Sequence, residues 1–192
     1  MNKIILASGS PRRKEILETV GAEFEIITSD IEEVVRENER PETVVRALAF
    51  EKGFDVSKQV EEGCIVIAAD TIVYKDTILG KPKDGQDAFD MLASLRGQVH
   101  KVYTGICVIE AGSHKKIVDV VETRVFMKNY SDETIKNYIK SGEVFGKAGA
   151  YAIQGLGSLL VDHIDGDYLN VVGLPISRLE SLLEQHFNFK FL

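Results

Sequence analysis

Apolar positions fall along the chain in short blocks whose spacing switches between that of strands and that of helices. Residues 4–7 (Ile-Ile-Leu-Ala) read as a short buried strand, broken by Ser8-Gly9-Ser10-Pro11. Pro11 suits the first position of a helix capped by Ser10, and Ile16, Leu17 and Val20 continue it to Gly21. Residues 24–28 form a second strand pattern. A polar, acidic stretch follows from Asp30 to Arg40, with a turn or helix start at Pro41. Val44, Val45, Leu48 and Ala49 share one face of a helix expected over residues 43–53. The run Cys64-Ile65-Val66-Ile67-Ala68-Ala69 is almost wholly apolar, as a strand covered on both faces should be. It ends at Asp70, and residues 71–74 extend it towards a turn at Lys75-Asp76 and the pair Ile78-Leu79.

Gly80-Lys81-Pro82 reads as a loop, and residues 87–95 as a helix ending at Gly97. Residues 101–110 and 117–128 are two long strand patterns joined across residues 111–115, an antiparallel hairpin. Ser131 caps a further helix whose first turn carries Asp132 and Glu133, where the helix dipole favours them; Gly142 closes it. Residues 159–163 and 168–172 read as strands with a turn at Gly166. From Pro175, Ile176, Leu179, Leu182, Leu183 and His186 follow helical spacing, and residues 187–191 alternate like a terminal strand. With no internal repeat and no linker-like composition, the expectation is one α/β domain over residues 1–192, with a mixed, twisted sheet flanked by helices.

Composition narrows the function classes. The 192 residues are 44% hydrophobic and 28% charged, which is ordinary for a globular protein, and the formal net charge is −7. Such a charge repels polyanions and argues against stable nucleic-acid binding. Cys64 and Cys107 both lie in apolar runs and read as reduced core thiols. The four histidines lack zinc-site spacing. No run approaches 18 apolar residues, and the amino-terminal apolar stretch is too short for a signal peptide, so no membrane association and a cytoplasmic location are expected.

The residue types that could carry chemistry are few. Ser8-Gly9-Ser10-Pro11-Arg12-Arg13 places a small-residue turn and two arginines at a helix start. The dipole there favours an anion and disfavours uncompensated cations. A polyphosphate would supply the compensation, although an ordinary helix with solvated arginines fits the same spacing. Asp70, with Thr71 beside it, ends a central strand, where ligands of open α/β sheets collect. Its carboxylate could hold a divalent cation or position water, or merely bond local amides. Glu32 and Glu33 offer a second carboxylate within what is otherwise a solvated charge run. Lys52 and Lys81 are cations that would ordinarily be surface residues, and Gly80-Lys81-Pro82 lacks the P-loop frame. The segment from Gly149 to Gly155 around Gln154 suits either a close approach to a ligand or a tight loop against the core.

Taken together, these segments resemble the Maf family of nucleotide pyrophosphatases over nearly the entire chain. The resemblance rests on residues 6–17, on Ala69-Asp70-Thr71-Ile72-Val73 and on Gly80-Lys81-Pro82. It continues through Lys147-Ala148-Gly149-Ala150-Tyr151 to Gly155, Ile164-Asp165-Gly166-Asp167-Tyr168 and Gly173-Leu174-Pro175-Ile176. It implies two lobes around a cleft, an architecture related to the inosine triphosphate pyrophosphatases, a homodimer, and a divalent cation (Mg²⁺, Mn²⁺ or Co²⁺). The implied activity is housecleaning hydrolysis of nucleoside triphosphates to monophosphate and pyrophosphate. Asp70 would be the general base or metal-linked carboxylate, and Glu33 would serve the metal. Ser8, Ser10, Arg12, Arg13, Lys52 and Lys81 would surround the triphosphate. Arg12, Thr71 and Gln154 stand where substrate subgroups differ, and their identities resemble the dTTP and UTP subgroup. The alternatives are a non-catalytic nucleotide-binding regulator of cell division, since the family was first linked to inhibition of septum formation, and a nucleotidyltransferase, which would also use metal and triphosphate.

Overall fold

The computed structural model describes residues 3–32 and 39–192. It opens with strand β1 (Ile4–Leu6), helix α1 (Pro11–Thr19), strand β2 (Phe24–Ile26) and helix α2 (Pro41–Ser57). Strands β3 (Ile65–Lys75) and β4 (Thr77–Leu79) precede helix α3 (Gly85–Leu95), the long strands β5 (Val99–Glu110) and β6 (Lys116–Met127), and helix α4 (Asp132–Lys140). Strand β7 (Val161–Asp165) and helices α5 (Tyr168–Val172) and α6 (Ile176–Phe187) complete the chain. All seven strands join one sheet in the order β2-β1-β3-β5-β6-β7, with β4 paired to β3. β1 is parallel to both its neighbours and the other pairings are antiparallel, so the sheet is mixed as expected.

Long β3, β5 and β6 run through two lobes. At one end, odd-numbered residues of β3 (Ile65, Ile67, Ala69) pack with α1 and α6 through Leu17, Leu179 and Leu183. Even-numbered Val66 and Ala68 face α2 on the other side. At the far end a separate core joins Val73, Leu92, Val125, Ile135 and Leu160. This is the period-2 alternation of a strand with both faces covered, and it explains the near-continuous apolar run read from the sequence.

Helix α2 lies close to the sheet because a glycine on each side, at two different points of the contact, leaves no side chain to hold the elements apart. A Cβ on Gly105 of β5 would stand 2.2 Å from the carbonyl oxygen of Val45. One on Gly53 would stand 3.3 Å from both Ala68 Cβ and Cys107 Sγ. Gly53 therefore does not end the helix, as its spacing suggested; α2 starts at Pro41 and runs on to Ser57. Cys64 and Cys107 are buried free thiols, and burial pushes the Cys107 thiol up to about 12.

Two strand expectations fail. Residues 168–172 form a helix, because Asp167 caps it: its carboxylate accepts the N–H groups of Leu169 at 2.7 Å and Asn170 at 3.3 Å. A five-residue apolar run cannot by itself separate strand from helix periodicity. The alternating tail pairs with no strand. Asn188 turns left-handed after α6, and the aromatic rings of Phe189 and Phe191 meet edge-on at 5.4 Å and pack on the core.

Candidate active site

The cleft originates in an interruption of the sheet. β1 pairs with β3 only as far as Ile67, with the Ala7 N–H donating to the Ile67 carbonyl at 2.8 Å, and β4 takes over at Val73. Between these points β3 has an edge with no strand beside it among the described residues. Successive side chains of a strand point to opposite faces. At a free edge both faces open into the same space, so Asp70 on the α2 side and Thr71 on the α5 side reach one cleft. That cleft has a volume of about 910 Å³. Ser8, Ser10, Arg12 and Arg13 line it from the β1–α1 turn, Lys52 from α2, Lys81 from the loop after β4, and Gln154 from the segment before β7. Arg12 and Asp70 thus share one groove.

Within the cleft, Lys52 Nζ donates to Asp70 Oδ1 at 2.6 Å. Both side chains are largely buried, so the contact is a charge-assisted hydrogen bond shielded from solvent. Ser10 occupies the N-cap position of α1, but its hydroxyl bonds no helix amide, which corrects the expected cap. The first turn holds no acidic residue, and the Arg12 side chain makes no hydrogen bond to any described residue. Ser8 instead shapes the turn: its Oγ accepts from the Ser10 N–H at 3.3 Å and from Arg13 at 3.0 Å. With its oxygen so engaged, the Ser8 hydroxyl is left to donate, which suits an anion. Arg13 acts as a clasp. Its Nε donates to the Gly173 carbonyl at 2.7 Å and another guanidinium nitrogen to Thr71 Oγ1 at 3.1 Å, joining the amino-terminal turn to β3 and the end of α5. Gly173 adopts φ 130°, a conformation that favours glycine, where it meets that arginine.

A family model described as Maf-like protein matches residues 3–186. The chain belongs to the Maf family. Relatives match it over most or all of their length. It is 49% identical over 192 residues, covering 100% of both chains, to a protein of Alkaliphilus metalliredigens (strain QYMF) named dTTP/UTP pyrophosphatase. Proteins of the same name from Caldanaerobacter subterraneus subsp. tengcongensis (53% over 191 residues, 99% of this chain and 92% of the relative) and Clostridioides difficile (52% over 186 residues, 96% and 95%) are equally similar. Among solved structures, the Staphylococcus aureus Ham1 protein is similar over 67% of this chain and 73% of its own, at 14% identity and a TM-score of 0.46. The mixed α/β assignment stands on the strand pairing above, not on that partial likeness.

The Maf resemblance implies a divalent cation, and the donors can be tested against it. Among the described residues no three His, Cys, Asp or Glu side chains gather in a metal-binding group. Asp70 is the carboxylate of the cleft lining; Glu32 is exposed outside it, and Glu33 lies outside the described residues. One carboxylate together with substrate phosphate oxygens is a common way of holding Mg²⁺, so Asp70 fits a cation that arrives with the nucleotide.

Other cleft residues escaped the sequence reading. The segment 147–155, with a 3₁₀ turn at Ala148–Ala150, both lines the cleft and packs on the core: a Cβ on Gly149 would stand 3.0 Å from Val73, and the Gly149 N–H donates to the Gly80 carbonyl at 3.0 Å. That contact ties the loop to the Lys81 segment. Lys147 also lines the cleft, while its Nζ donates to the Glu143 carbonyl at 2.6 Å. Tyr151 forms part of the wall, backed by a 2.7 Å contact between its hydroxyl and buried His100 Nε2. Burial first, and Lys75 second, lowers His100 to about 4, and burial raises the Tyr151 hydroxyl. Thr104 and Asn170 are wholly buried beneath Thr71. Asn170 was foreshadowed only as a polar residue inside an apolar run.

Proposed function

We propose that the protein hydrolyses nucleoside triphosphates, dTTP and UTP among them, to the monophosphate and pyrophosphate. The observation that carries this reading is the convergence of Asp70, Lys52, Arg12 and Lys81 with the Ser8 turn and Gln154 on one cleft. The full-length relatives named dTTP/UTP pyrophosphatase support it.

Arg12 and Lys81 reach the cleft from opposite lobes and would clamp the phosphate chain, with Ser8 and Ser10 donating to its oxygens. Asp70, oriented by Lys52, takes a proton from water as the water oxygen bonds to the α-phosphorus. The bond from that phosphorus to the bridging oxygen breaks, and pyrophosphate leaves with the electron pair. A divalent cation held by Asp70 and the phosphates would supply charge neutralisation at the transferring group. The Gln154 amide offers a donor and an acceptor, matching the ring N–H and a carbonyl of uracil or thymine. A cytoplasmic homodimer working on free nucleotides and not on nucleic acid is part of the same proposal, drawn from the family resemblance and the net charge of −7.

The test is pyrophosphate release from a panel of canonical and modified triphosphates with Mg²⁺, Mn²⁺ and Co²⁺, run in ¹⁸O-labelled water. The expected result is label in the monophosphate, as attack at the α-phosphorus requires. Nucleotide binding without turnover would instead indicate a regulator, and transfer to an acceptor other than water a nucleotidyltransferase.

A further inference from the structure

Hydroxyl protons beneath the cleft can be assigned by counting. Thr104 Oγ1 donates to the main-chain carbonyl of Asn170 at 2.9 Å, and a carbonyl can only accept. The single Thr104 proton is therefore spent. The 2.9 Å contact between Thr71 Oγ1 and Thr104 Oγ1 must then have Thr71 as the donor. Arg13, which can only donate, bonds Thr71 Oγ1 at 3.1 Å. Protons thus run one way, from Arg13 to Thr71 to Thr104 to the α5 carbonyl. Thr104 and Asn170 are both 0% exposed, so no water competes for these positions.

We propose that Thr104 is a positioning residue for nucleotide selectivity: by holding the Thr71 hydroxyl proton, it leaves Thr71 an acceptor-only group in the cleft. The inference rests on the nucleotide reading of the cleft. On this face of β3 the wall beside Thr71 is Ile153 and Val172, which pack with Ala69, and Gln154 follows directly in the chain. The charged neighbour of Thr71, Arg13, already bonds the Gly173 carbonyl, Ser8 and Thr71 itself, and the apolar pair Ile153 and Val172 suits the nucleoside more than the phosphates. The remaining lone pair of Thr71 then selects a nucleoside donor. Two are available, the sugar 3′-hydroxyl and, where Gln154 reads the base carbonyl alone, the N3–H of uracil or thymine.

The probes are α,β-imido analogues, with affinity measured by calorimetry. One arm compares the UTP analogue with the CTP analogue, which lacks N3–H. The other compares the dTTP analogue with its 2′,3′-dideoxy form, which lacks the 3′-hydroxyl. In the parent protein, removing the donor that Thr71 reads should weaken binding about tenfold. Thr104→Val frees the Thr71 proton to turn towards the cleft, so that penalty should disappear in the same arm, whereas Thr104→Ser should preserve it. Thr71→Val, at a part-exposed position, keeps the test available should Thr104→Val unfold, and it should abolish the same penalty. Penalties unchanged in Thr104→Val, or in Thr71→Val where Thr104→Val does not fold, overturn the proposal, as does Thr104→Ser behaving like Thr104→Val. A parent that binds the analogues but releases no pyrophosphate from triphosphates sinks the hydrolase reading alone, because the binding comparison still decides on Thr104. A parent that binds none of the analogues sinks both.

Discussion

Lys52 and Asp70 lie 18 residues apart in the chain and meet at 2.6 Å, one reaching from α2 and the other from the free edge of β3. The carboxylate is thereby aimed into the cleft by a buried cation rather than left to choose among rotamers. Asp70→Asn keeps the size of the side chain and a polar partner for Lys52, but removes the proton acceptor. Turnover per folded molecule should fall about 10²-fold or more, the usual scale for a positioned acid–base group, alongside some loss of stability because buried Lys52 loses this counter-charge. Pyrophosphate release under saturating metal measures this, and near-normal turnover would remove Asp70 from the chemistry.

Arg12 and Arg13 are adjacent in sequence and have different duties. Arg13 bonds Ser8, Thr71 and the Gly173 carbonyl, whereas the Arg12 side chain bonds no described residue. Arg13→Lys cannot reproduce the guanidinium fork, and losing charged hydrogen bonds at a part-buried site should cost about 2–3 kcal/mol. In a chain of this size that is on the order of 5–10 °C in Tm. Arg12→Lys should leave Tm within about 1 °C, because it disturbs no internal contact, and should raise KM for the triphosphate. Thermal melts alongside steady-state kinetics would show whether the two effects separate in this way.

The contrast between the arginines marks where sequence reading stops. The sequence announced both cations at a helix start but not which one the fold would consume, since the Gly173 carbonyl is 160 residues away. Most strands, the hairpin and most helices were legible because each carries its own period. The Ser8 turn, Asp70, Lys52, Lys81 and Gln154 were legible through the motif resemblance and do line one cleft. What escaped depended on neighbours distant in sequence. Gly53 looked like a helix stop because its contacts with Ala68 and Cys107 are invisible along the chain. The cap at Asp167 was overlooked in favour of the apolar run that follows it, and the tail alternates although no strand edge receives it.

Gly105 sits opposite Asp70 in the β3–β5 register, directly under α2. An added methyl group would meet the Val45 carbonyl at 2.2 Å, and a main-chain atom inside a helix cannot step aside alone. Gly105→Ala should therefore push α2 off the sheet, costing about 3 kcal/mol. Because α2 also carries Lys52, the variant should lose turnover by a larger factor than its remaining folded fraction explains. Denaturant unfolding and activity per folded molecule would reveal both; a variant with parental stability would refute the packing role given to this glycine.

His100 links stability to pH. It is 2% exposed, and burial, with a smaller contribution from Lys75, lowers it to about 4 from 6.5. Between those values the unfolded chain binds a proton that the folded protein does not, so stability rises with pH through this window. Its contribution is fully present above about pH 6.5 and is lost as the pH falls towards 4, amounting to about 3 kcal/mol. His100→Gln retains a polar partner for the Tyr151 hydroxyl but does not titrate. Its Tm should fall less than that of the parent between pH 7 and pH 4.5, and parallel curves would show that His100 is not the group responsible.

Gln154 separates selectivity from chemistry. It lines the same cleft as Asp70 and Lys52 but bonds neither of them. Gln154→Glu replaces an amide by a group that only accepts hydrogen bonds when ionised. A uracil carbonyl would then face a carboxylate, a contact that lacks a proton, whereas the exocyclic amino group of cytosine would still find an acceptor. Affinity should drop for all triphosphates through repulsion of their charge, but the CTP to UTP ratio of kcat/KM should rise by about tenfold or more. The response to Mg²⁺ concentration should be unchanged, because the carboxylate assigned to the cation is untouched. Competition between the two nucleotides in a single reaction gives the ratio directly. If it stays at the parental value, Gln154 does not read the base.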